Sequence, residues 1–156
     1  MSKAVKPIPD GYHVVTPYLR IRGAAKAIDW YKNVFGATEF VRMPEGPDRI
    51  GHAELRIGDS VVMLSDEYPN MGVVSPQTLG GCTAALLLYV QDADAILARA
   101  VAAGAKVTVP MQDMFYGDRS CRIEDPFGHA WMISTHIEDV TPEEMKRRMA
   151  AMSAKP

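Results

Sequence analysis

The sequence predicts an α+β fold built from two copies of one unit, which consists of a strand, a helix and three further strands. Three observations predict this. A helical pattern in the first half returns in the second, an apolar strand pattern precedes each helix, and hairpin-like segments follow each helix in the same order. The chain of 156 residues is long enough for one domain with a sizeable core.

The repeated helix is predicted over residues 23–37 in the first half and residues 92–105 in the second. In both segments apolar residues recur at the three- and four-residue spacing of an amphipathic helix. Ala27-Ile28 corresponds to Ala95-Ile96, and a Gly-Ala pair ends both segments.

The segments that flank the helices repeat as well. Strand patterns at residues 16–21 and 85–90 precede the two helices, and hairpin patterns at residues 56–65 and 122–134 follow them. The second hairpin has the longer turn, Asp125-Pro126-Phe127-Gly128. Its Pro and Gly are strong turn formers, which supports a turn at this position.

These matches set the expected boundaries within a single domain of residues 1–156. They are repeat one at about 12–67, a linker rich in Pro, Gly and Asn at 68–83, repeat two at about 84–136, and a C-terminal helix at about 141–153. Thr141 as N-cap and Pro142 at the first helical position predict where this last helix begins. Its methionine stripe, Met145, Met149 and Met152, is expected to pack against the body or a second subunit rather than a membrane.

Composition and charge exclude several classes of protein. Seventeen Lys and Arg against nineteen Asp and Glu give a formal net charge of −2. This charge provides no overall positive electrostatic potential that would attract nucleic acid. No apolar run approaches the roughly 20 residues of a membrane span, and residues 1–4 lack a secretory pattern, so we expect a cytoplasmic protein. Cys82 and Cys121 lie too far apart to suggest a zinc knuckle or a disulfide framework.

The second copy of the unit closes with the segment Asp125-Pro126-Phe127-Gly128-His129-Ala130-Trp131. With this segment, the duplicated unit resembles the vicinal oxygen chelate superfamily, which includes glyoxalase I, bleomycin-resistance proteins and extradiol dioxygenases. Five segments are most similar to its PhnB-like group: Pro17-Tyr18-Leu19, Phe35-Gly36-Ala37, His52-Ala53-Glu54-Leu55, Ile57-Gly58-Asp59-Ser60 and His136-Ile137-Glu138-Asp139-Val140. The resemblance covers about residues 12–148. It implies curved mixed sheets around a cleft, with repeats that pair within one chain or across a dimer, and a homodimer is favoured.

The resemblance also implies where a metal ion would be held. In metal-dependent members one ligand comes from the first strand and one from the last strand of each repeat, usually His and Glu. Those positions carry Thr16, Ala85, Met63 and Met132 here. None offers the carboxylate or imidazole that a hard divalent cation needs, so no metal cofactor is expected. The four residues are instead expected to line a mostly apolar ligand cleft, or alternatively to pack together and close it.

Polar residues are expected on the same side of the first sheet. Along residues 50–57, His52, Glu54 and Arg56 alternate with apolar residues that would face the helix. His52 could act as general base or hydrogen-bond donor beside Glu54, and these two are the catalytic candidates if the protein is an enzyme. A solvated strand face would produce the same pattern.

The second repeat adds further candidates. Arg122 and Ser120 alternate with apolar neighbours, and Phe115 and Tyr116 lie on a loop that could cap the cleft and stack on a planar ligand, or could simply anchor the loop. The candidate ligand-binding residues are therefore Thr16, Tyr18, His52, Glu54, Met63, Ala85, Phe115, Tyr116, Arg122 and Met132.

Two functions that involve a ligand remain open at this point, beside a structural or regulatory role for a homodimer that binds no ligand. The favoured one is a metal-free protein of the bleomycin-resistance type, which sequesters an aromatic or cationic small molecule in the cleft and so gives antibiotic resistance. The alternative is a lyase, isomerase or dioxygenase that uses a divalent metal ion through His52 and Glu54. The sequence contains no GxSxG, P-loop, GxGxxG or HExxH motif to favour another enzyme class.

Overall fold

The computed structural model describes residues 5–153. The elements are β1 (Tyr18–Ile21), α1 (Ala24–Phe35), β2 (Thr38–Pro44), β3 (Ile50–Ile57), β4 (Ser60–Asp66), α2 (Pro76–Leu79), β5 (Ala85–Tyr89), α3 (Ala93–Ala102), β6 (Lys106–Asp113), β7 (Asp118–Glu124), β8 (Ala130–His136) and α4 (Pro142–Ser153). The chain divides after Gly81 into two compact units, each with the order strand, helix, strand, strand, strand. The predicted α+β fold of two such repeats is confirmed.

The two sheets have equivalent topologies. The first has the strand order β1-β4-β3-β2 and the second β5-β8-β7-β6. In each sheet the first and last strands of the repeat run parallel, while all other pairs are antiparallel. Tyr18 lies opposite Met63 in the first sheet, and Leu87 lies opposite Met132 in the second. This shared register makes positions in one repeat directly comparable with positions in the other.

The helix of each repeat covers one face of its sheet. Helix α1 buries seven residues, because its apolar side chains recur on one face from Ala24 to Phe35. Gly23 and Gly36 flank this helix in the left-handed conformation, which glycine adopts without steric cost. Helix α3 begins after Asp92, whose carboxylate accepts a hydrogen bond from the backbone N–H of Ala95.

Three details differ from the predicted elements. The strand predicted over residues 16–21 begins at Tyr18, so Thr16 lies outside the sheet, and the prediction that Thr16 belongs to this strand is wrong. The predicted linker contains a 3₁₀ turn at Pro69–Met71 and the single-turn helix α2. Residues 68–83 are therefore partly ordered, because the buried carboxylate of Glu67 accepts hydrogen bonds from this segment.

The C-terminal helix begins as predicted, with Thr141 accepting a hydrogen bond from the N–H of Glu144 at 3.3 Å. Met149 and Met152 are more than half exposed, so the predicted packing of the methionine stripe against the body does not involve them. No helix within residues 5–153 is long and apolar enough to cross a membrane. The N-terminal residues 1–4, on which the cytoplasmic expectation partly rested, lie outside the described residues.

Candidate functional site

Each sheet has a face turned away from its helix, which we call the open face. In the first repeat, Ala53, Leu55 and Leu64 are fully buried on the helix side. The alternate residues of the strands lie on the open face, since side chains point to opposite sides along a strand. These open-face residues are Tyr18, Arg20, His52, Glu54, Arg56 and Met63. The predicted alternation along residues 50–57 is confirmed.

Four of these open-face groups and one residue from the N-terminal segment form a connected chain of polar contacts. The Tyr18 hydroxyl lies 2.8 Å from His52 Nδ1, and His52 Nε2 lies 3.0 Å from Glu54 Oε1. The Tyr12 hydroxyl donates a hydrogen bond to the other carboxylate oxygen of Glu54, Oε2. A neutral His52 with its proton on Nε2 satisfies both contacts, as acceptor from Tyr18 and donor to Glu54. The guanidinium of Arg20 stacks 4.1 Å from the centre of the Tyr18 ring.

Glu54 is the buried charge of this face. Only 8% of the residue is exposed. Burial raises the pKa of Glu54, but the hydrogen bonds from His52 and Tyr12 outweigh burial and hold the pKa below its ordinary value. The bond to Glu54 also raises the pKa of the Tyr12 hydroxyl. Glu54 is therefore an ionised carboxylate at neutral pH, set between Tyr12 and His52.

The open face of the second repeat has a different character. It carries Leu87, Tyr89, Ser120, Arg122, Met132 and Ser134. The hydroxyls of Ser120 and Ser134 lie 2.7 Å apart in a buried pair. Arg122 is exposed, and it makes no hydrogen bond or ion pair from its side chain within residues 5–153. On the helix side of the same strand, burial raises the pKa of the Cys121 thiol, which disfavours its use as a nucleophile.

A cavity of about 230 Å³ lies beside Arg122. It is lined by Val109, Gln112, Met114, Tyr116, Ser120, Cys121, Arg122 and Met132. The structure thus places three predicted ligand residues, Tyr116, Arg122 and Met132, around one cavity. Phe115 lines a different cavity of about 440 Å³, together with Ile137, Glu138 and Arg148. Ala85 is the exposed first residue of β5.

Sequence reasoning missed a second polar cluster in the second repeat. The buried carboxylate of Asp118 accepts a hydrogen bond from the Tyr89 hydroxyl at 2.8 Å and contacts Nδ1 of His136 at 2.8 Å. Nε2 of His136 lies 2.9 Å from Asp139. The bonds to Asp118 and Asp139 raise the pKa of His136. The alternation that predicts Arg122 on the open face would have reached Asp118 if it had been followed four residues further back along the strand.

The residues at the expected metal positions do not fit a divalent cation. The Thr16 hydroxyl donates to the carbonyl of His13, Ala85 has no donor atom in its side chain, and Met63 and Met132 offer thioethers. Soft thioethers are poor ligands for hard divalent ions. Within residues 5–153, no group of three or more His, Cys, Asp or Glu side chains is placed to hold a metal ion.

The pair of His52 and Glu54 also has no uncommitted side-chain atom that could bind a metal ion. Both ring nitrogens of His52 have partners on the same face, and each carboxylate oxygen of Glu54 has a hydrogen-bonded neighbour. A metal ion here would have to replace those bonds and recruit ligands that the first repeat does not supply.

Comparison with known proteins gives a family and a fold. Residues 12–133 match the family model of the Glyoxalase/Bleomycin resistance protein/Dioxygenase superfamily. The chain is 39% identical over 141 residues to the uncharacterized protein Mb0911c of Mycobacterium bovis, a match that covers 88% of this chain and 92% of that protein.

Solved structures agree with this assignment. The chain is similar to TioX from Micromonospora sp. ML1, with a TM-score of 0.61 and 30% identity over 78% of this chain and 97% of TioX. It is also similar to the fosfomycin resistance protein FosX from Listeria monocytogenes, crystallised with Mn(II) and sulfate, with a TM-score of 0.62 over 88% of this chain and 97% of FosX. FosX is only 17% identical, so its likeness shows the fold alone.

Proposed function

The chain belongs to the glyoxalase/bleomycin resistance protein/dioxygenase superfamily, and from this premise we propose that it is a metal-free protein that sequesters an aromatic or cationic small molecule. The open face of the first repeat is the proposed site for the cationic group. The observation that carries this proposal is the buried, ionised carboxylate of Glu54, held by Tyr12 and by the His52 ring that Tyr18 contacts.

On this face, the Glu54 carboxylate and the aromatic rings beside it suit a planar cation, while Arg20 and Arg56 lie on the same face. A carboxylate that is shielded from water attracts an organic cation more strongly than an exposed one, because the screening by solvent is reduced. Aromatic rings add attraction through their π faces. The Tyr12 ring lies edge-on to Phe40, with centroids 6.5 Å apart, and Tyr18 lies beside the His52 ring at 5.5 Å. Met63, opposite both Tyr18 and Glu54, provides an adaptable apolar contact.

The finer assignments belong to the same proposal. The motifs around Tyr18, His52 and His136 favour the PhnB-like group within the superfamily. Sequestration of a toxic ligand would give antibiotic resistance without catalysis. We further propose a cytoplasmic homodimer, for which the exposed Met149 and Met152 of α4 offer a contact surface.

The first test is a titration of the chelator-treated protein with ethidium, a planar aromatic cation, and with 8-anilinonaphthalene-1-sulfonate, a planar aromatic anion. We expect the first repeat to bind ethidium, and Glu54→Gln to weaken that binding at least tenfold. Asp59→Asn removes the same charge from the exposed β3–β4 turn and is the matched control, with no expected change. Tyr18→Leu should weaken ethidium binding by a smaller factor, since it removes only the ring.

Two results would overturn the proposal. One is equal binding of ethidium by the parent protein and by Glu54→Gln. The other is one tightly held divalent ion per chain in protein purified without chelator, measured by inductively coupled plasma mass spectrometry. The second result would favour the metal-dependent enzyme, with His52 and Glu54 as its candidate residues.

A further inference from the structure

We propose that the second repeat binds a small organic anion, a carboxylate or a phosphonate with an apolar body, in the cavity beside Arg122. This site lies within the second repeat, and its central charged group, Arg122, is opposite in sign to Glu54 at the equivalent position of the first repeat. It goes beyond the proposed cation site and does not depend on it.

Equivalent positions of the two repeats carry opposite charges. Glu54 lies opposite Met63 on the first open face, and Arg122 lies opposite Met132 on the second. The methionine is common to both repeats, whereas the carboxylate of the first is a guanidinium in the second. Because the register is the same, this exchange changes the ligand charge that each face favours and leaves the scaffold unchanged.

Three carboxylates of the second repeat, those of Asp94, Asp113 and Asp118, have partners other than Arg122. Arg119 on the helix side of β7 pairs with Asp94 at 2.6 Å and with Asp113 at 2.9 Å. Asp118 accepts from Tyr89 and contacts His136. Arg122 itself forms no ion pair in the described part of the chain.

Two more donors lie in the lining of the same cavity. Gln112 and Tyr116 line it with Arg122, Gln112 lies opposite Ser120 of the open face, and within residues 5–153 neither Gln112 nor Tyr116 makes a side-chain hydrogen bond. An amide N–H, a phenol O–H and a guanidinium are donors whose bonds a carboxylate or phosphonate would accept. Arginine is well suited to this role, since its planar fork matches two oxygens of such an anion at once.

The other walls and the volume set the rest of the ligand. Val109, Met114 and Met132 give the cavity apolar sides, and methionine adapts to ligands of different shape. A volume of about 230 Å³ lies below the roughly 300–1,000 Å³ that drug-sized ligands occupy. The structure therefore favours an anion with a single small apolar group, such as one ring.

The test uses four probes of nearly equal size, benzoate, phenylphosphonate, benzamide and benzylamine, titrated into the ¹⁵N-labelled full chain at low ionic strength. We expect benzoate or phenylphosphonate to shift amide resonances of residues that line the cavity, while benzamide and benzylamine shift them at least tenfold more weakly. The two anions distinguish a carboxylate site from a phosphonate site.

Substitutions on the two faces of β7 test whether Arg122 itself holds the anion. Arg122→Gln should weaken anion binding at least tenfold, and Arg122→Lys, which keeps the charge but loses the fork, should be intermediate. Arg119→Gln removes the same charge from the other face of β7 and should leave binding within twofold of the parent. Glu54→Gln should have no effect on benzoate, so failure of the cation site and failure of this site are distinguishable.

Equal binding of benzamide and benzoate, or unchanged binding by Arg122→Gln, would overturn the proposal. Resonance shifts confined to residues of the first repeat would overturn it as well, because they would place the anion elsewhere.

Discussion

The two repeats have the same element order but fill the space between helix and sheet from opposite sides. In the first, α1 provides the bulk through residues such as Tyr31, while the strand position next to Met63 holds only Val62. In the second, α3 buries small residues such as Ala100, and the strand position equivalent to Val62 holds Trp131. One topology therefore accepts a large side chain from either layer, as long as the total volume fills the core.

The tryptophan of the second repeat also needs a polar partner. Its indole N–H donates to Asp125 Oδ2 at 2.9 Å, and Oδ1 of the same carboxylate accepts from the backbone N–H groups of Phe127 and His129. The first repeat joins the equivalent strands β3 and β4 through Gly58 and Asp59 alone. The longer β7–β8 turn thus supplies a buried acceptor that a large indole requires and a valine does not.

The largest expected effect comes from removing this tryptophan. We expect Trp131→Ala to lower the free energy of unfolding by about 3–5 kcal/mol, because it leaves a cavity and removes the donor to Asp125. The matched change Val62→Ala at the equivalent position should cost about 1–2 kcal/mol. Urea unfolding followed by far-ultraviolet circular dichroism measures both.

Trp131→Phe separates volume from hydrogen bonding. It keeps an aromatic ring but leaves Asp125 without the indole donor, so a loss of about 1–3 kcal/mol is expected. If Trp131→Ala and Val62→Ala cost the same, the two cores are not filled from opposite layers in the way described.

A second difference lies at the helix starts. Asp66 accepts hydrogen bonds from the N–H groups of Gly23 and Ala24 with Oδ1 and from Ile50 with Oδ2, at 2.7–3.2 Å. The equivalent residue of the second repeat, Thr135, accepts one hydrogen bond, from the N–H of Ala93 at 2.9 Å. Both residues connect the end of the last strand to the start of the helix, but the carboxylate satisfies three donors and the hydroxyl only one.

We expect Asp66→Ala to destabilise the protein by about 2–4 kcal/mol, since two buried N–H groups and one part-buried N–H group lose their acceptor. Thr135→Val, which keeps the shape of the side chain, should cost about 1 kcal/mol. The same urea titration measures these variants. A larger loss for Thr135→Val than for Asp66→Ala would contradict the difference between the two helix starts.

Local patterns explain which features the sequence could predict. The alternation of the polar residues His52, Glu54 and Arg56 with apolar neighbours predicted β3 with its observed bounds, because alternating hydropathy is a local property of the sequence. For β1 the pattern predicts a start at residue 16, two residues before the strand begins. Pro17 offers its carbonyl to the N–H of Met63 but has no N–H of its own, so the regular ladder begins at Tyr18.

Contacts between distant residues explain what the sequence could not predict. Nothing near Glu54 in the sequence indicates that Tyr12 bonds to its carboxylate, and no local pattern joins His136 to Asp118. The burial of Glu54 and the raised pKa of His136 depend on these tertiary contacts. The candidate residues could therefore be named from the sequence, whereas their protonation and partners required the fold.

The smallest expected effects are opposite pH dependences in the two repeats. In the first, burial raises the pKa of Glu67, but hydrogen bonds from Ser75, Thr78 and Arg22 outweigh it and lower the pKa to about 2. In the second, bonds to Asp118 and Asp139 raise the pKa of His136 above its ordinary value. Folding thus favours the charged form of both groups.

The two groups therefore stabilise the protein in different pH ranges. Glu67 contributes fully above its unfolded pKa of about 4.3, and this contribution is lost as the pH falls toward 2. His136 contributes fully below its unfolded pKa of about 6.5, and this contribution is lost as the pH rises through its higher folded pKa. The effect of His136 should be the smaller one, because its half-exposed side chain is screened by water.

Melting temperatures between pH 3 and pH 9, measured for the parent, Glu67→Gln and His136→Asn, test this assignment. Glu67→Gln should flatten the fall in melting temperature below about pH 5, and His136→Asn should flatten the fall above about pH 6.5. His13→Asn, which changes an exposed imidazole in the first repeat, should alter neither limb. A contrary outcome would be a His136→Asn variant that changes only the acidic part of the melting-temperature profile. In that case Asp118 and Asp139 would not hold the His136 ring in its charged form. The polar cluster of the second repeat would then not stabilise the fold through an imidazolium.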